Sequence, residues 1–420
     1  LASQWIIYNF KLLKSRVKIE KYSDRFASRK NINNDKYGDH NNNFLPMPIP
    51  LWPFEGKLIF VILIFWCIFG LFILGSASWW VAHQEIGDWA FFLKRQLAWY
   101  IPGLTIFFLI LNTNIRDLLK ISKPIFYILL LIIGSTIFFG STINGSTRWL
   151  ILGPLKMQPS ELIKPFCILE SANLFAHWNL VKDEKKIISL LSFGLLILLI
   201  MKQPNLSTAG LIGIMFWIIA LCGGVKINSL ITVATAGAIS AYLSVMNNQY
   251  QMLRIKSFIN PWSDPEGNGY QLIQSLLAIG SGGVLGKGFG LSMQKLQYLP
   301  IQHTDFIFAI YAEEFGLLGS IFLLGFLAIF SYLSLRIAIK SRNNYTKLVA
   351  TGCATLLIGQ SLIHIAVTTG SMPTTGLPLP FVSYGGNSLI GSLFIAALLL
   401  RCSLESTGFI GNLRARKTLN

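Results

Sequence analysis

Long apolar runs recur along the chain, separated by short polar segments. Leu58–Ser78, Pro124–Gly140 and Phe306–Leu335 each approach or exceed the roughly 20 residues that cross a hydrocarbon core. The pattern predicts an all-α membrane protein of about ten transmembrane helices. They are placed at 58–78, 97–113, 124–142, 161–177, 187–201, 205–224, 228–246, 306–335, 347–370 and 385–402. Between the seventh and eighth lies residues 248–305, a long loop rich in polar, glycine and aromatic side chains. Loops of that length in a compact fold are functional or disordered. Apolar patches at Tyr270–Ile279 and Leu291–Leu299 argue for order and predict short helices on, or dipping into, the surface. No internal repeat stands out, so an inverted-repeat transporter is not supported.

Composition strengthens this reading. Of 420 residues, 53% are hydrophobic and 13% charged, about half the charged share of a soluble domain. The net charge of +17 suggests nucleic acid until the basic residues are located. They fill alternate loops, as the positive-inside rule requires: Arg116, Lys120 and Lys123; Lys182, Lys185 and Lys186; Lys226; Arg336, Lys340, Arg342 and Lys347. Nucleic-acid binding is therefore not expected. Both termini are placed in the cytoplasm, with 248–305 extracytoplasmic. The expected organisation is a basic, Asn-rich cytoplasmic arm over 1–57, a membrane domain over 58–402 and a cytoplasmic tail over 403–420. The arm shows no cleavable signal-peptide pattern, and the chain opens on Leu1 rather than Met, which leaves its start open. The five cysteines lie in or at the ends of apolar segments without metal-ligand spacing and read as small buried hydrophobes.

Four segments assigned to the outer side concentrate unusual residues. The first runs from Asn144 through Arg148-Trp149 to Gln158-Pro-Ser160-Glu161 and Lys164. One reading has Ser160 and Glu161 capping a helix while Lys164 snorkels to the interface. The other makes a cationic pocket for an anionic headgroup. The second is Gln203-Pro204-Asn205-Leu-Ser207-Thr208, a capped helix start. The third is the long loop, with Arg254, Lys256, Asn260-Pro-Trp-Ser-Asp264-Pro, and a glycine cluster around Lys287. Those glycines miss the spacing of a phosphate loop, so no nucleotide is expected. Its last residues include His303 and Asp305. Asp305 is either the N-cap of the following helix or a general base at the membrane boundary, where partial burial raises a carboxylate pKa. Glu313 and Glu314 follow roughly 12 Å deeper at helical rise, and acids at that depth mark a function or a buried pair; support roles are expected. The fourth segment, Gly370 to Ser388, carries Pro373, Pro378 and Pro380 with Ser383-Tyr384-Gly385-Gly386, a fixed irregular backbone tolerated only inside protein or beside a wet cavity.

Taken together, Arg148-Trp149, Gln158-Pro-Ser-Glu161 with Lys164, Gln203-Pro, Asn260-Pro-Trp-Ser-Asp-Pro, His303-Thr-Asp305-Phe-Ile-Phe, Glu313-Glu314 and Gly376-Leu-Pro-Leu-Pro-Phe-Val-Ser-Tyr-Gly-Gly386 resemble the SEDS family of peptidoglycan polymerases. The resemblance runs from about Leu58 to Arg401. Gln294-Lys295-Leu-Gln-Tyr298-Leu-Pro is more like the FtsW and SpoVE branch than RodA, and Gly87-Asp-Trp with Lys94-Arg-Gln96 is cyanobacterial or plastid in flavour. The resemblance implies a peptidoglycan glycosyltransferase that polymerises lipid II during division and releases undecaprenyl pyrophosphate. It implies a location in a bacterial plasma membrane or the inner envelope of a walled plastid. It further implies Asp305 as the catalytic base, a divalent cation (Mg²⁺ or Mn²⁺), and a class B penicillin-binding transpeptidase of the FtsI type and other division proteins as partners. Arg148, Lys164 and Arg254 are the candidates for the pyrophosphate. Glu161, His303, Glu313, Glu314 and Ser383 are expected to support the site. One departure stands out: the family's usual QPDLGT reads here with Asn205 and Ser207, so the carboxylate and glycine are missing. A lipid II flippase and a non-catalytic division scaffold are the rival readings.

Overall fold

A computed structural model describes residues 52–143, 146–153, 155–296 and 298–406. The chain is a helical bundle. Its elements are α1 (Phe54–Ile86), α2 (Phe91–Asn112), α3 (Ile115–Phe139), strands β1 (Ser141–Ile143), β2 (Ser146–Leu152) and β3 (Leu155–Met157), and the pair α4 (Pro159–Leu162) and α5 (Lys164–Ala176). These are followed by α6 (Asp183–Lys202), α7 (Leu206–Cys222), α8 (Ile227–Asn247), α9 (Gln249–Ile259), a 3₁₀ turn (Pro261–Ser263), α10 (Tyr270–Gly282), α11 (Ile307–Lys340), α12 (Asn344–Thr368) and α13 (Gly386–Ser406).

Each of the ten segments expected to cross the membrane falls largely on a helix. Among the described residues, six helices are long and apolar enough to cross a membrane: α1, α3, α8, α11, α12 and α13. Those at the centre and those at the rim differ in burial. The apolar stretches of α12 and α13 are 72% and 83% buried, whereas that of α8 is 11% buried. Many exposed side chains of α8 are nonetheless apolar, including Ile231, Val233, Ile239 and Leu243. A helix that shows bulk solvent mainly Ile, Leu and Val is suited to hydrocarbon. The chain is a multi-pass membrane protein.

Helix ends differ from expectation in instructive ways. α1 starts at Phe54, inside the segment assigned to the arm, and α13 continues to Ser406; the rest of the arm and tail lies outside the described residues. α3 stops at Phe139, because at Gly140 the backbone turns extended and a three-stranded antiparallel sheet of order β1-β2-β3 begins. The all-α expectation is corrected here. The β-branched and aromatic run Thr147-Arg148-Trp149-Leu150-Ile151 suits a pleated surface and was hidden between two helices.

The long loop is ordered. Its first apolar patch forms α10 as expected, but Leu291–Leu299 is a series of turns rather than a helix. The turns fold against α11, which is broken at Gly316 (φ 64°, ψ −160°). The break lets backbone meet backbone. Lys287 and Gly288 N–H donate to the carbonyls of Glu313 and Glu314, both at 3.0 Å, and Leu317 N–H donates to Gly283 at 3.0 Å. A Cβ on Gly316 would lie 2.4 Å from the Gly286 nitrogen, so only glycine fits. Residues 307–314 are all buried in protein, while exposed apolar positions start at Leu317 and Leu318. Glu313 and Glu314 therefore sit in a protein-covered cap on the helix. This corrects the expectation that they lie along a continuous span.

Candidate active site

Glu313 and Glu314 hold the long loop in place. Glu313 pairs with Lys287 Nζ at 2.6 Å and accepts from Met293 N–H at 3.1 Å, Gln294 N–H at 3.2 Å and the Ser292 hydroxyl. Glu314 accepts from Lys295 Nζ at 2.9 Å and from Ser76 Oγ at 2.6 Å. Lys295, Glu313 and Glu314 are at most 1% exposed. Buried charges paired in this way are costly to break on one side only.

The segment from Pro373 to Gly385 is the second fixed element. Phe381, held at φ 64°, packs edge-on against Trp66 with centroids 5.1 Å apart. A Cβ on Gly70 would meet the Phe381 carbonyl oxygen at 2.1 Å, so the loop is pressed into α1. Ser383 Oγ donates to the Thr304 carbonyl at 2.6 Å and accepts from Leu379 N–H at 2.9 Å. Tyr384 N–H donates to the His303 carbonyl at 2.9 Å. The loop therefore grips the two residues before Asp305 from the side. Gln96 of α2 grips the same loop. Its amide donates to the Ser383 carbonyl at 3.4 Å and accepts from Gly385 N–H at 3.2 Å. The Lys94-Arg-Gln96 motif was the only sequence sign of it.

Asp305 does not cap a helix. Phe306 occupies the cap position of α11 and no side chain bonds the first turn. The carboxylate stays available. Burial raises its pKa to about 6, opposed by the guanidiniums of Arg254 and Arg148 and by a hydrogen bond to Thr304. A carboxylate poised near neutrality is suited to take a proton at working pH. His303 has a different job. Its ring stacks on Phe92 at 4.3 Å between centroids and lies 5.8 Å from Tyr384, and burial pushes its pKa down to about 4, so it is a neutral packing residue.

Two of the three candidate cations converge beside Asp305. A Cβ on Gly376 would lie 3.3 Å from Arg148 Nη1 and 3.7 Å from Asp305 Oδ2, so the missing side chain leaves that space open. Arg148, on β2, donates from Nη2 to the Pro204 carbonyl at 3.2 Å. Arg254, on α9, donates from Nη1 to the Thr374 carbonyl at 3.1 Å and lies 4.5 Å over the Tyr250 ring. Arg148, Arg254 and Gly376 line one cavity of about 260 Å³, whose remaining wall is largely apolar, with Leu206, Leu211, Ile214, Ile255 and Ile363. Lys164 does not join them. It is 1% exposed and spends its charge on Glu161 at 2.6 Å and Gln360 at 2.8 Å. This corrects its assignment to the pyrophosphate, and it rules out the snorkelling alternative too. Gln360 in turn donates to the Pro378 carbonyl at 2.7 Å, so Glu161 and Lys164 brace the 373–385 loop.

Among the described residues, four side chains that line the cavity each keep one polar atom packed inside the protein without a hydrogen-bond partner: Arg148 Nε, Asn205 Nδ2, Gln251 Nε2 and Thr375 Oγ1. Leaving such a group unpaired costs about 1–3 kcal/mol. Sequence reading passed over Gln251 and Thr375 because single amides and hydroxyls carry no pattern. The donors also test the expected metal. No cluster of three His, Cys, Asp or Glu side chains occurs among the described residues, and the residues that line the cavity include two arginines and no carboxylate. Asp305 alone does not make a divalent-cation site.

The chain matches the cell cycle protein family model FTSW_RODA_SPOVE over residues 56–408 and belongs to that family. Within it, relatives that carry the name peptidoglycan glycosyltransferase FtsW are similar along most of their length. The one from Mesostigma viride is 45% identical over 81% of this chain and 82% of its own. The one from Synechocystis is 44% identical over 84% and 91%. A solved chain from a peptidoglycan synthase complex that coordinates polymerization and crosslinking superposes with a TM-score of 0.68 at 28% identity, covering 83% of this chain and 97% of that one. The rod shape determining protein RodA of Thermus thermophilus superposes at 0.61 with 26% identity, covering 82% and 95%.

Proposed function

We propose that this protein is a peptidoglycan glycosyltransferase that polymerises lipid II. The observation that carries the reading is one carboxylate, with its pKa lifted to about 6, placed beside two arginines that line an apolar-walled cavity. Asp305 takes the proton of the acceptor GlcNAc 4-hydroxyl as that oxygen attacks the donor MurNAc anomeric carbon. The bond from that carbon to the pyrophosphate breaks, its electron pair leaves on undecaprenyl pyrophosphate, and the configuration inverts. Arg148 and Arg254 stabilise the charge that gathers on the leaving group, where a water-poor cavity strengthens their effect. The residues do not form a metal site by themselves, so Mg²⁺ or Mn²⁺ is proposed to enter on the substrate's pyrophosphate.

The proposed topology has ten crossings, with the Asp305 end outside. The basic residues Lys182, Lys185, Lys186, Arg336 and Lys340 lie at the far ends of their helices from the hairpin and long loop, as the positive-inside rule requires. The membrane is proposed to be a plasma membrane or the inner envelope of a walled plastid. The partner is proposed to be a class B penicillin-binding transpeptidase, with other division proteins. A flippase finds less support, because Glu313 and Glu314 are already paired with Lys287 and Lys295. The test is polymerisation of purified lipid II by the reconstituted protein with its partner, read as glycan product on a gel. Asp305→Asn is expected to lose at least about 100-fold, the lower range for a general base; product at the wild-type level would overturn the mechanism.

A further inference from the structure

Residues 283–291, just after α10, carry an apolar surface that the protein does not cover. Val284, Leu285, Phe289 and Leu291 are 54 to 78% exposed. The segment is a run of tight turns, in which Gly283, Gly286, Gly288 and Gly290 all take positive φ, a conformation that favours glycine. A Cβ on Gly286 would lie 2.2 Å from the Glu314 carbonyl oxygen, so the inner side of the turns is pressed against the break in α11. The one charged residue among them, Lys287, turns its ammonium to Glu313 at 2.6 Å.

The neighbours of the turns fix where this surface lies. Leu317 N–H donates to the Gly283 carbonyl, and Leu318 N–H to the Val284 carbonyl at 3.2 Å. Leu317 and Leu318 are themselves exposed and open an apolar row that continues along α11 through Ile321, Phe322 and Ile329. From Leu317 to Arg336 the helix rises about 29 Å at 1.5 Å per residue, close to the roughly 30 Å of a hydrocarbon core. Arg336 and Lys340 close the opposite end by pairing with Glu55. Leu317 therefore stands at one edge of the core, with Val284 and Leu285 beside it. Irregular backbone at that depth is tolerated where it packs against protein. The bonds to α11 meet this need for the Gly283 and Val284 carbonyls and for the Lys287 and Gly288 N–H groups.

We propose that the 283–291 turns are a membrane anchor of the long loop: Val284, Leu285, Phe289 and Leu291 insert among the acyl chains at the edge of the bilayer, beside Leu317 and Leu318. In the proposed topology this is the outer leaflet. The occupant is lipid, because the surface is continuous with the lipid-facing side of α11 and its single charge is turned inward. Apolar side chains placed at that edge leave water when they insert. Glu313 and Glu314 hold the turns from the protein side, and lipid holds them from the other. This anchoring is independent of the polymerase chemistry.

The test is the depth of nitroxide labels on the full chain in vesicles of phosphatidylethanolamine and phosphatidylglycerol. It is read as collision rates with oxygen, which concentrates in lipid, and with a water-soluble nickel chelate. Labels go on Leu285→Cys and, separately, Phe289→Cys, in a Cys222→Ser background because Cys222 is the exposed native cysteine. Leu318→Cys marks lipid, and Glu266→Cys, exposed on the polar part of the loop, marks water. Unchanged melting temperatures check that each variant folds. The oxygen-to-nickel ratio at 285 and 289 is expected to match Leu318 and to exceed Glu266 severalfold; a lipid-like ratio at either position supports the anchor. A ratio equal to that of Glu266 at both positions overturns it. Low rates with both reagents at both positions also overturn it, because they mean burial against a second copy of the chain. Protection from the nickel chelate that appears only when the transpeptidase partner is added gives the surface to a protein and overturns it as well.

Discussion

At Asp305 the competition between burial and charge decides the chemistry. Burial raises the carboxylate's pKa and two guanidiniums lower it, with a net rise to about 6. As a base it works only when ionised, so activity should fall as pH drops through about 6, and kcat/KM against pH should show an acid limb there. A limb near 4 would mean an ordinary solvated carboxylate. The sign for stability runs the other way. A folded-state pKa raised above the ordinary carboxylate value means the native protein holds this proton more tightly, so stability is lost as pH rises through the folded value. Asp305→Asn should then melt no lower than wild type at pH 8 while losing activity, a trade typical of catalytic groups. Gly376 is the neighbouring test. A methyl there would lie 3.3 Å from Arg148 Nη1 and would push into the space between base and cation. Gly376→Ala should cut turnover with little change in melting temperature.

Elements around the site are held by charge pairs rather than by apolar packing alone. Among the described residues between Gly283 and Gln302 there is no helix or strand, and Glu313, Glu314 and the backbone bonds at the Gly316 break hold these turns. Lys295→Met would leave Glu314 buried and short of its cation, a change that costs about 3–5 kcal/mol. A marked fall in melting temperature is expected, with much of it regained when Glu314→Leu is added. Equal melting of wild type and the Lys295 variant would show that the loop is held by something else. The 373–385 loop depends in the same way on Gln96, Gln360 and Ser383, contributed by three different parts of the chain. None of these bonds has a local sequence signature.

For the whole molecule, the proposed orientation rests on charge asymmetry. The basic ends of α5–α6, α11 and α12 oppose the end that carries the hairpin, the long loop and Asp305. In sealed cells or right-side-out vesicles, a membrane-impermeant maleimide should label Glu266→Cys, which is exposed on the long loop. Lys185→Cys, exposed at the other end, should be labelled only after permeabilisation. The reverse pattern would put the proposed base in the cytoplasm and remove its substrate.

Apolar period and loop charge sufficed to mark where the helices run, because a segment that crosses lipid must be continuously apolar and must close its own backbone bonds. The motif order likewise sufficed for the family. The sequence did not reveal the hairpin after α3, the break at Gly316 or the turns after α10, since each depends on backbone meeting backbone from distant positions. Nor did it separate the cations. Arg148, Lys164 and Arg254 are equivalent as letters, and only the packed chain shows that Glu161 and Gln360 have already claimed Lys164 while the two arginines face the cavity.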